Sequence, residues 1–259
     1  MNSQIKILSK YNPSFISVTY GAGGSTRDRT LELVLKIKNE LNIQPLPHFT
    51  CVGTERDGIL KYLKEVKDAN INNILALRGD PPQGETEFRK PENGFGYANE
   101  LVEFINANTD LGIAVAGYPE GHTECESLEQ DIVNLKRKAD AGAEVIITQL
   151  FYDNNYFFKF LEKTQKAGIS IPIVPGILII TNFAQVEKMT SMCGCTIPSN
   201  LKEKLRKYQN DNNAVKEIGI EHATSQCREL LTNKVPGLHF CTLNKAFATD
   251  EVLKQLSLI

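Results

Sequence analysis

The run LALRGDPP, Leu75 to Pro82, carries strand-like apolar residues that stop at an arginine, a glycine and an aspartate. The two prolines bar an immediate continuation as helix. Arg78 and Asp80 are poorly placed to pair with each other across Gly79, so a cation and an anion at the end of a buried strand suit a bound ligand. Other stretches carry similar chemistry. GAGGSTR, Gly21 to Arg27, follows one apolar run and opens a helical one, the context of a phosphate-binding turn. As a dinucleotide fingerprint it fails, because Thr26 stands where the third glycine belongs and the next strand ends near His48, not at an acid. The bland alternative is a strand-to-helix turn capped by Ser25 or Thr26. In LKRK, Leu135 to Lys138, Arg137 and Lys138 lie near His122 and Asp131 in sequence and could bind a diphosphate. By spacing alone the run reads as a solvated helix face. Gln149 ends a strand that otherwise looks buried, so its amide needs a partner, either a pterin-like ring edge or neighbouring backbone. His48 and His122 lie at or beyond strand ends and His239 within a strand; matched carboxylates for a metal are lacking apart from Asp80, and no metal site is expected.

These residues recur at the ends of one repeating unit. FISVTYG (15–21), PLPHFTCVG (45–53), NNILALRGD (72–80), GIAVAGYPE (112–120), EVIITQLFYD (144–153), IPIVPGILII (171–180) and GLHFCTLN (237–244) are short, β-branched apolar runs. Helical patterns separate them, beginning with RDRTLELVLKIKNEL, where Leu31, Val34, Leu35 and Lys38 recur at helical spacing. The N-terminal MNSQIKILSK reads as a further helix with Ile5, Leu8 and Tyr11 on one side. Nearly continuous apolar strands alternating with helices imply parallel strands covered on the outside. A (β/α)8 barrel brings every strand C-terminus to one face and so explains all the polar ends together; an open sheet would use only those at a switch point. Seven strands are legible, and the first strand of the eight is read as missing. Residues 1–259 are expected to form one catalytic barrel domain, with 181–236 as helical additions and no regulatory domain.

Composition narrows the classes. The chain has 259 residues, 41% apolar and 23% charged, enough for one large core. A net charge of −2 and a pI near 6.1 offer no broad attraction for nucleic acid or an anionic membrane. The ten-residue run IPIVPGILII, broken by two prolines, is too short to span a bilayer. The N-terminus lacks the apolar core of a signal peptide. Six scattered cysteines, only Cys193 and Cys195 close together, suit reduced thiols in the cytoplasm.

VTYGAGGSTRDRT, PHFTC, LALRGDPP, AGYPEGH, NLKRKADAGA, IITQLFYD, IPIVPGI and GLHFCTLN, in this order, resemble the catalytic domain of the methylenetetrahydrofolate reductase family, from about Tyr11 to Leu258. VPGLHF and IITQLF look closer to its eukaryotic-type members. The resemblance implies a barrel holding FAD, with NADPH or NADH reducing the flavin and the flavin reducing 5,10-methylenetetrahydrofolate to 5-methyltetrahydrofolate in a ping-pong relay. It assigns Thr19, Tyr20, Ala22, His48, Arg78, Gly79, Asp80, Ala98, Tyr118 and His122 to the flavin. Asp131, Asn134, Arg137 and Lys138 go to its ribose and diphosphate, which reverses the solvated-face reading. Asp80 also faces the folate, where its charge favours the iminium cation, and Gln149 meets both folate and nicotinamide. Lys245 replaces an arginine at the folate tail and Cys241 a usual tyrosine.

The resemblance also implies a first-strand glutamate that protonates the opening folate ring, and the sequence starts downstream of that strand. No residue can be assigned this role, and the chain reads as truncated. The alternatives are a catalytically impaired flavin-binding homologue or partner subunit, and a pterin-acting barrel enzyme without flavin. The expected partners are the folate and the nicotinamide nucleotide, with homo-oligomers possible and neither nucleic acid nor membrane.

Overall fold

The computed structural model describes residues 2–19, 27–81, 84 and 88–257. Its elements alternate as the apolar rhythm requires. Helix α1 (Asn2–Ser9) precedes β1 (Ile16–Val18), α2 (Arg27–Leu41), β2 (Pro45–Thr50), α3 (Arg56–Asp68) and β3 (Asn73–Leu77). Then come α4 (Ala98–Asn108), β4 (Gly112–Gly117), α5 (Leu128–Asp140), β5 (Val145–Leu150), α6 (Asn154–Lys166) and β6 (Ile173–Ile177). Three consecutive helices follow, α7 (Phe183–Cys193), α8 (Ser199–Lys207) and α9 (Asn212–Thr232), before β7 (His239–Phe240) and α10 (Phe247–Gln255). All seven expected strands form. Helices α8 and α10, nine residues each, go beyond the patterns legible in the sequence.

The strand order follows the chain, β1 to β7. An open doubly wound sheet reverses direction at a switch point, so this order identifies a (β/α)8-barrel fold, represented here by seven strands among the described residues. No helix among the described residues is long and apolar enough to cross a membrane.

The chain packs as two compact units. The first comprises residues 1–11, 117–133 and 147–259, the second 12–116 and 134–146. In the second unit, β1 runs parallel to β2 with Ile16 opposite Pro45, β2 to β3 with His48 opposite Leu75, and β3 to β4 with Ile74 opposite Ile113. Helix α3 buries Ile59, Tyr62, Leu63 and Val66, at i, i+3, i+4 and i+7. Tyr62 stacks on Phe49 of β2 with ring centroids 4.6 Å apart. Each such aliphatic side chain contributes about 1.5–3 kcal/mol by leaving water. On α2 the buried stripe is Thr30, Val34 and Ile37, rotated from the expected one. Lys38 does not join that core: its ammonium donates to the carbonyls of Ala69 and Asn70 at the C-terminal end of α3, where a cation complements the helix dipole.

In the first unit, β6 runs parallel to β7 with Gly176 opposite His239. A Cβ on Gly176 would lie 2.2 Å from the Thr148 carbonyl oxygen, so only glycine lets β5 and β6 approach this closely. Helices α7, α8 and α9 form an apolar cluster with Leu150, Tyr152, Leu178 and Ile180. Helix α1 packs against α10, where Tyr11 Oη donates to Asp250 Oδ1 at 2.7 Å and Lys10 and Lys254 flank the same carboxylate. These donors hold the Asp250 carboxyl well below the usual carboxylate range, Lys10 first.

Candidate functional site

Within the second unit, the LRGD segment leaves β3 already fixed. The Cys51 amide donates to the carbonyls of Leu77 at 3.3 Å and Arg78 at 2.9 Å, which continues the β2–β3 contact beyond the last ladder pair. Gly79 has φ +89°, and a Cβ there would sit 2.8 Å from both Thr50 Cβ and Val52 Cγ2. Glycine is therefore required by the close packing of β2's end as well as by its backbone conformation. The half-buried Arg78 directs its guanidinium over the Phe88 ring, 5.2 Å from the centroid, a partner that no motif in the sequence suggested. Asp80 is exposed. Cys51, beneath this turn, is fully buried, and burial pushes its thiol up to about 12, so it acts as core and not as a nucleophile.

The basic run on α5 divides between two environments. Lys138 is half-buried and donates from Nζ to the Ala116 carbonyl at 2.5 Å, which fastens the helix to the end of β4. Arg137 is exposed, and its Nη1 donates to Asn134 Oδ1 at 3.2 Å. Both cations lie in the last turn, where they also complement the helix dipole. That ordinary role explains why LKRK reads from spacing as an unremarkable solvated face, although only Arg137 is exposed.

Within the first unit, Tyr118, His122 and Asp131 meet. The Tyr118 and His122 rings pack edge to face with centroids 4.7 Å apart. The His122 amide donates to Asp131 Oδ2 at 3.3 Å, and the His122 ring Nδ1 accepts from the Glu124 amide at 3.2 Å. Asp131 is 7% exposed, so its carboxylate depends on such donors. Gln149 is half-buried at the end of β5, and its Oε1 accepts from the Leu150 amide at 2.9 Å. Neighbouring backbone thus meets one of the needs anticipated for this amide, and the NH2 group remains the end with donors to offer. Lys245 lies in an exposed turn after β7, its amide bonded to the Thr242 carbonyl. Of the remaining expected residues, Thr19 is exposed beyond β1, His48 is half-buried on β2 and Ala98 opens α4; Tyr20 and Ala22 lie outside the described residues.

Two features of the first unit went unassigned in the sequence. Both carboxylate oxygens of Glu120, in YPEGH, accept from the Thr196 amide, at 3.1 and 3.0 Å. Burial raises the Glu120 carboxyl while the Thr196 contact opposes the rise. A cavity of about 520 Å³ is bordered by Tyr152, Asn154, Leu201, Lys204, His222 and Glu229 among others, and none of the residues expected at the site lines it. His222 joins Tyr152 through a 3.0 Å contact from Nε2 to the carbonyl, and burial lowers its basicity. No group of three His, Cys, Asp or Glu side chains among the described residues is arranged to hold a metal.

Comparison with known proteins supplies what geometry alone does not. The family model for methylenetetrahydrofolate reductase matches residues 1–257. The chain belongs to the methylenetetrahydrofolate reductase family. Its relatives include methylenetetrahydrofolate reductase (NADH) 1 of Arabidopsis thaliana, 39% identical across 97% of this chain and 44% of the relative. The protein of the same name from Zea mays is 40% identical, across 96% and 44% respectively. The chain therefore spans less than half the length of these plant members. Against the 5,10-methylenetetrahydrofolate reductase of Salmonella typhimurium it is 38% identical, over 94% of this chain and 80% of the relative. Among solved structures, an uncharacterized protein from Clostridium thermocellum that binds two copies of 5-methyl-5,6,7,8-tetrahydrofolic acid shares the fold, with TM-score 0.55, 13% identity and 98% coverage of both chains.

Proposed function

We propose that this chain is the flavin-dependent catalytic part of a methylenetetrahydrofolate reductase, carrying reducing equivalents from NADH or NADPH through FAD to 5,10-methylenetetrahydrofolate. The observation that carries the proposal is the family match over residues 1–257; the polar residues Arg78, Asp80 and Gln149 at the ends of β3 and β5 support it. The proposal covers one catalytic domain acting in the cytoplasm.

The residues on α5 fit a dinucleotide. Arg137 is an exposed planar donor, Asn134 is a polar side chain one turn before Lys138, and the half-buried Lys138 adds a second cation to the same turn. In the first unit, the Tyr118 and His122 rings and the Asp131 carboxylate offer the flat and the anionic contacts that a flavin and its ribose hydroxyls need. When bound, a flavin supplies the two-electron relay between a dihydronicotinamide and a folate. The protein orients and tunes. Gln149, its oxygen engaged by Leu150, presents amide hydrogens to ring acceptors of the folate or the nicotinamide carboxamide. Asp80 supplies an anion that favours the cationic iminium form of the folate over its closed ring. Arg78, steadied over Phe88, would hold the flavin, and Lys245 would serve the folate tail as a flexible point charge in place of a planar fork.

The test is spectroscopic. The purified chain, mixed with FAD, is expected to acquire a protein-bound flavin spectrum that NADH bleaches and methylenetetrahydrofolate restores. A chain that folds yet shows no change in flavin fluorescence or spectrum on mixing would refute the proposal.

A further inference from the structure

Half of the cysteines gather in one place, outside every role assigned above. Cys193 closes α7, Gly194 turns the chain with φ +69°, and Cys195 follows at once. This left-handed turn keeps Cys195 against the end of α7, where an extended Cys-Gly-Cys would carry it away. The Cys195 Sγ donates to the Leu150 carbonyl at 3.1 Å and lies 3.6 Å from the Cys193 carbonyl. Cys241, after β7, packs with Cys195 against the apolar cluster that contains Tyr152. Met192, Gly194 and Thr196 beside the pair are exposed, and both cysteines are half-buried, so a small reagent has access. The next residue, Thr196, is the one that holds Glu120.

We propose that Cys193 and Cys195 are a reversible redox modification site, oxidised by a low-molecular-weight disulfide to a Cys193–Cys195 bond that withdraws Cys195 from Leu150 and releases Glu120 from Thr196. The chemistry balances as two exchanges. The Cys193 thiolate attacks one sulfur of oxidised glutathione; a protein–glutathione disulfide forms and one glutathione thiolate leaves. Cys195 then attacks the Cys193 sulfur, expels the second glutathione and gives up its proton to the departing thiolate. Two protein thiols are oxidised and one glutathione disulfide is reduced to two thiols.

The order follows from the surroundings. Cys195 keeps its proton far above the ordinary thiol range, chiefly because of its hydrogen bond with Cys193 and then because of burial. The Cys195 thiol is moreover engaged with the Leu150 carbonyl at 3.1 Å, which makes Cys193 the entering nucleophile. Once Cys193 is capped, Cys195, two residues away, is placed to attack the adduct. Cys241, which burial pushes up to about 11, is a poor competitor. A bond strung across a turned glycine and open to reagents belongs with the labile, regulatory disulfides.

The test equilibrates the chain with glutathione buffers of graded poise and reads intact mass, mapped peptides and amide hydrogen exchange. The wild type is expected to lose two hydrogens at Cys193–Cys195 within the cytosolic to secretory range of poise. Cys195→Ser is expected to stop as a glutathione adduct on Cys193, Cys193→Ser to resist modification at this turn, and Cys241→Ser to behave as wild type. Exchange of the Thr196 amide should rise about tenfold on oxidation, the loss of one hydrogen bond. A disulfide through Cys241 or Cys125, no Cys193–Cys195 bond even in fully oxidised glutathione, or unchanged protection at Thr196 would overturn the proposal. Alkylation of the untreated wild type provides a reading independent of variant folding: Cys193 is expected to react before Cys195, and the reverse order refutes the assignment.

Discussion

Replacing Gly79 with alanine tests whether the turn at the end of β3 is set by the protein's own packing. Two costs add. A φ of +89° places an L side chain in the left-handed region, at about 1–2 kcal/mol. The new methyl would also sit 2.8 Å from Thr50 Cβ and Val52 Cγ2, about 1 Å inside normal contact, an overpacking worth about 1–3 kcal/mol. The sum is roughly 2–5 kcal/mol. Gly53→Ala in the same unit is the control: its φ is +66°, and a Cβ there meets nothing within 4 Å, so it incurs the backbone cost alone. Urea unfolding of both variants without flavin separates the two contributions. Gly79→Ala is expected to lie below Gly53→Ala by about 1–3 kcal/mol. Equal losses would show that Thr50 and Val52 yield freely, and that the glycine is needed only for a ligand's approach.

Other outcomes follow from the same structure. His239 is neutral in the fold, because burial lowers its pKa to about 4, while the unfolded chain binds a proton near 6.5. Its contribution is thus complete above about pH 6.5 and is lost as the pH falls toward 4, on the order of 3 kcal/mol in all; His239→Gln should flatten that stretch of the stability–pH curve measured by denaturant titration. Arg137→Ala is expected to leave the urea midpoint nearly unchanged but to weaken FAD affinity roughly 5- to 30-fold, whereas Lys138→Ala should lower both, because it also loses the bond to Ala116. Unchanged flavin titrations for both variants would return the run to a solvated, dipole-complementing role. Asp80→Asn should slow flavin reoxidation by methylenetetrahydrofolate more than flavin reduction by NADH in stopped flow; equal slowing counts against a charge role.

The barrel was legible because its signal is repeated: seven apolar runs alternate with helical patterns, six of them with polar residues at their ends, and the chain-order sheet follows from them. What escaped notice was short or local. Helices α8 and α10 are short additions to the strand–helix alternation, and the α2 stripe is rotated, with Lys38 donating to carbonyls just beyond α3 instead of lying beside the core. Packing across sequence distance was also silent: nothing in YPEGH indicates that Glu120 will hold an amide 76 residues later, and nothing near Arg78 names Phe88 as its platform. The roles of Asp80, Gln149 and the α5 cations came from family resemblance, since spacing alone left the blander readings standing.

The meeting of α1 with α10 bears on how the chain is made. Tyr11 and Asp250 are 239 residues apart in sequence, so α1 leaves the ribosome long before its partner α10 exists. The β2–β3 pairing of His48 with Leu75 closes over only 27 residues (75 − 48). Loop-closure entropy makes the longer contact about 2 kcal/mol more expensive to nucleate. The stretch 12–116 thus contains most of a unit that can condense during synthesis, while the unit holding α1 and α10 stays open until α10 is made. A nascent chain stalled near residue 120 should already protect Tyr62 and Phe49 from labelling, with Tyr11 fully reactive.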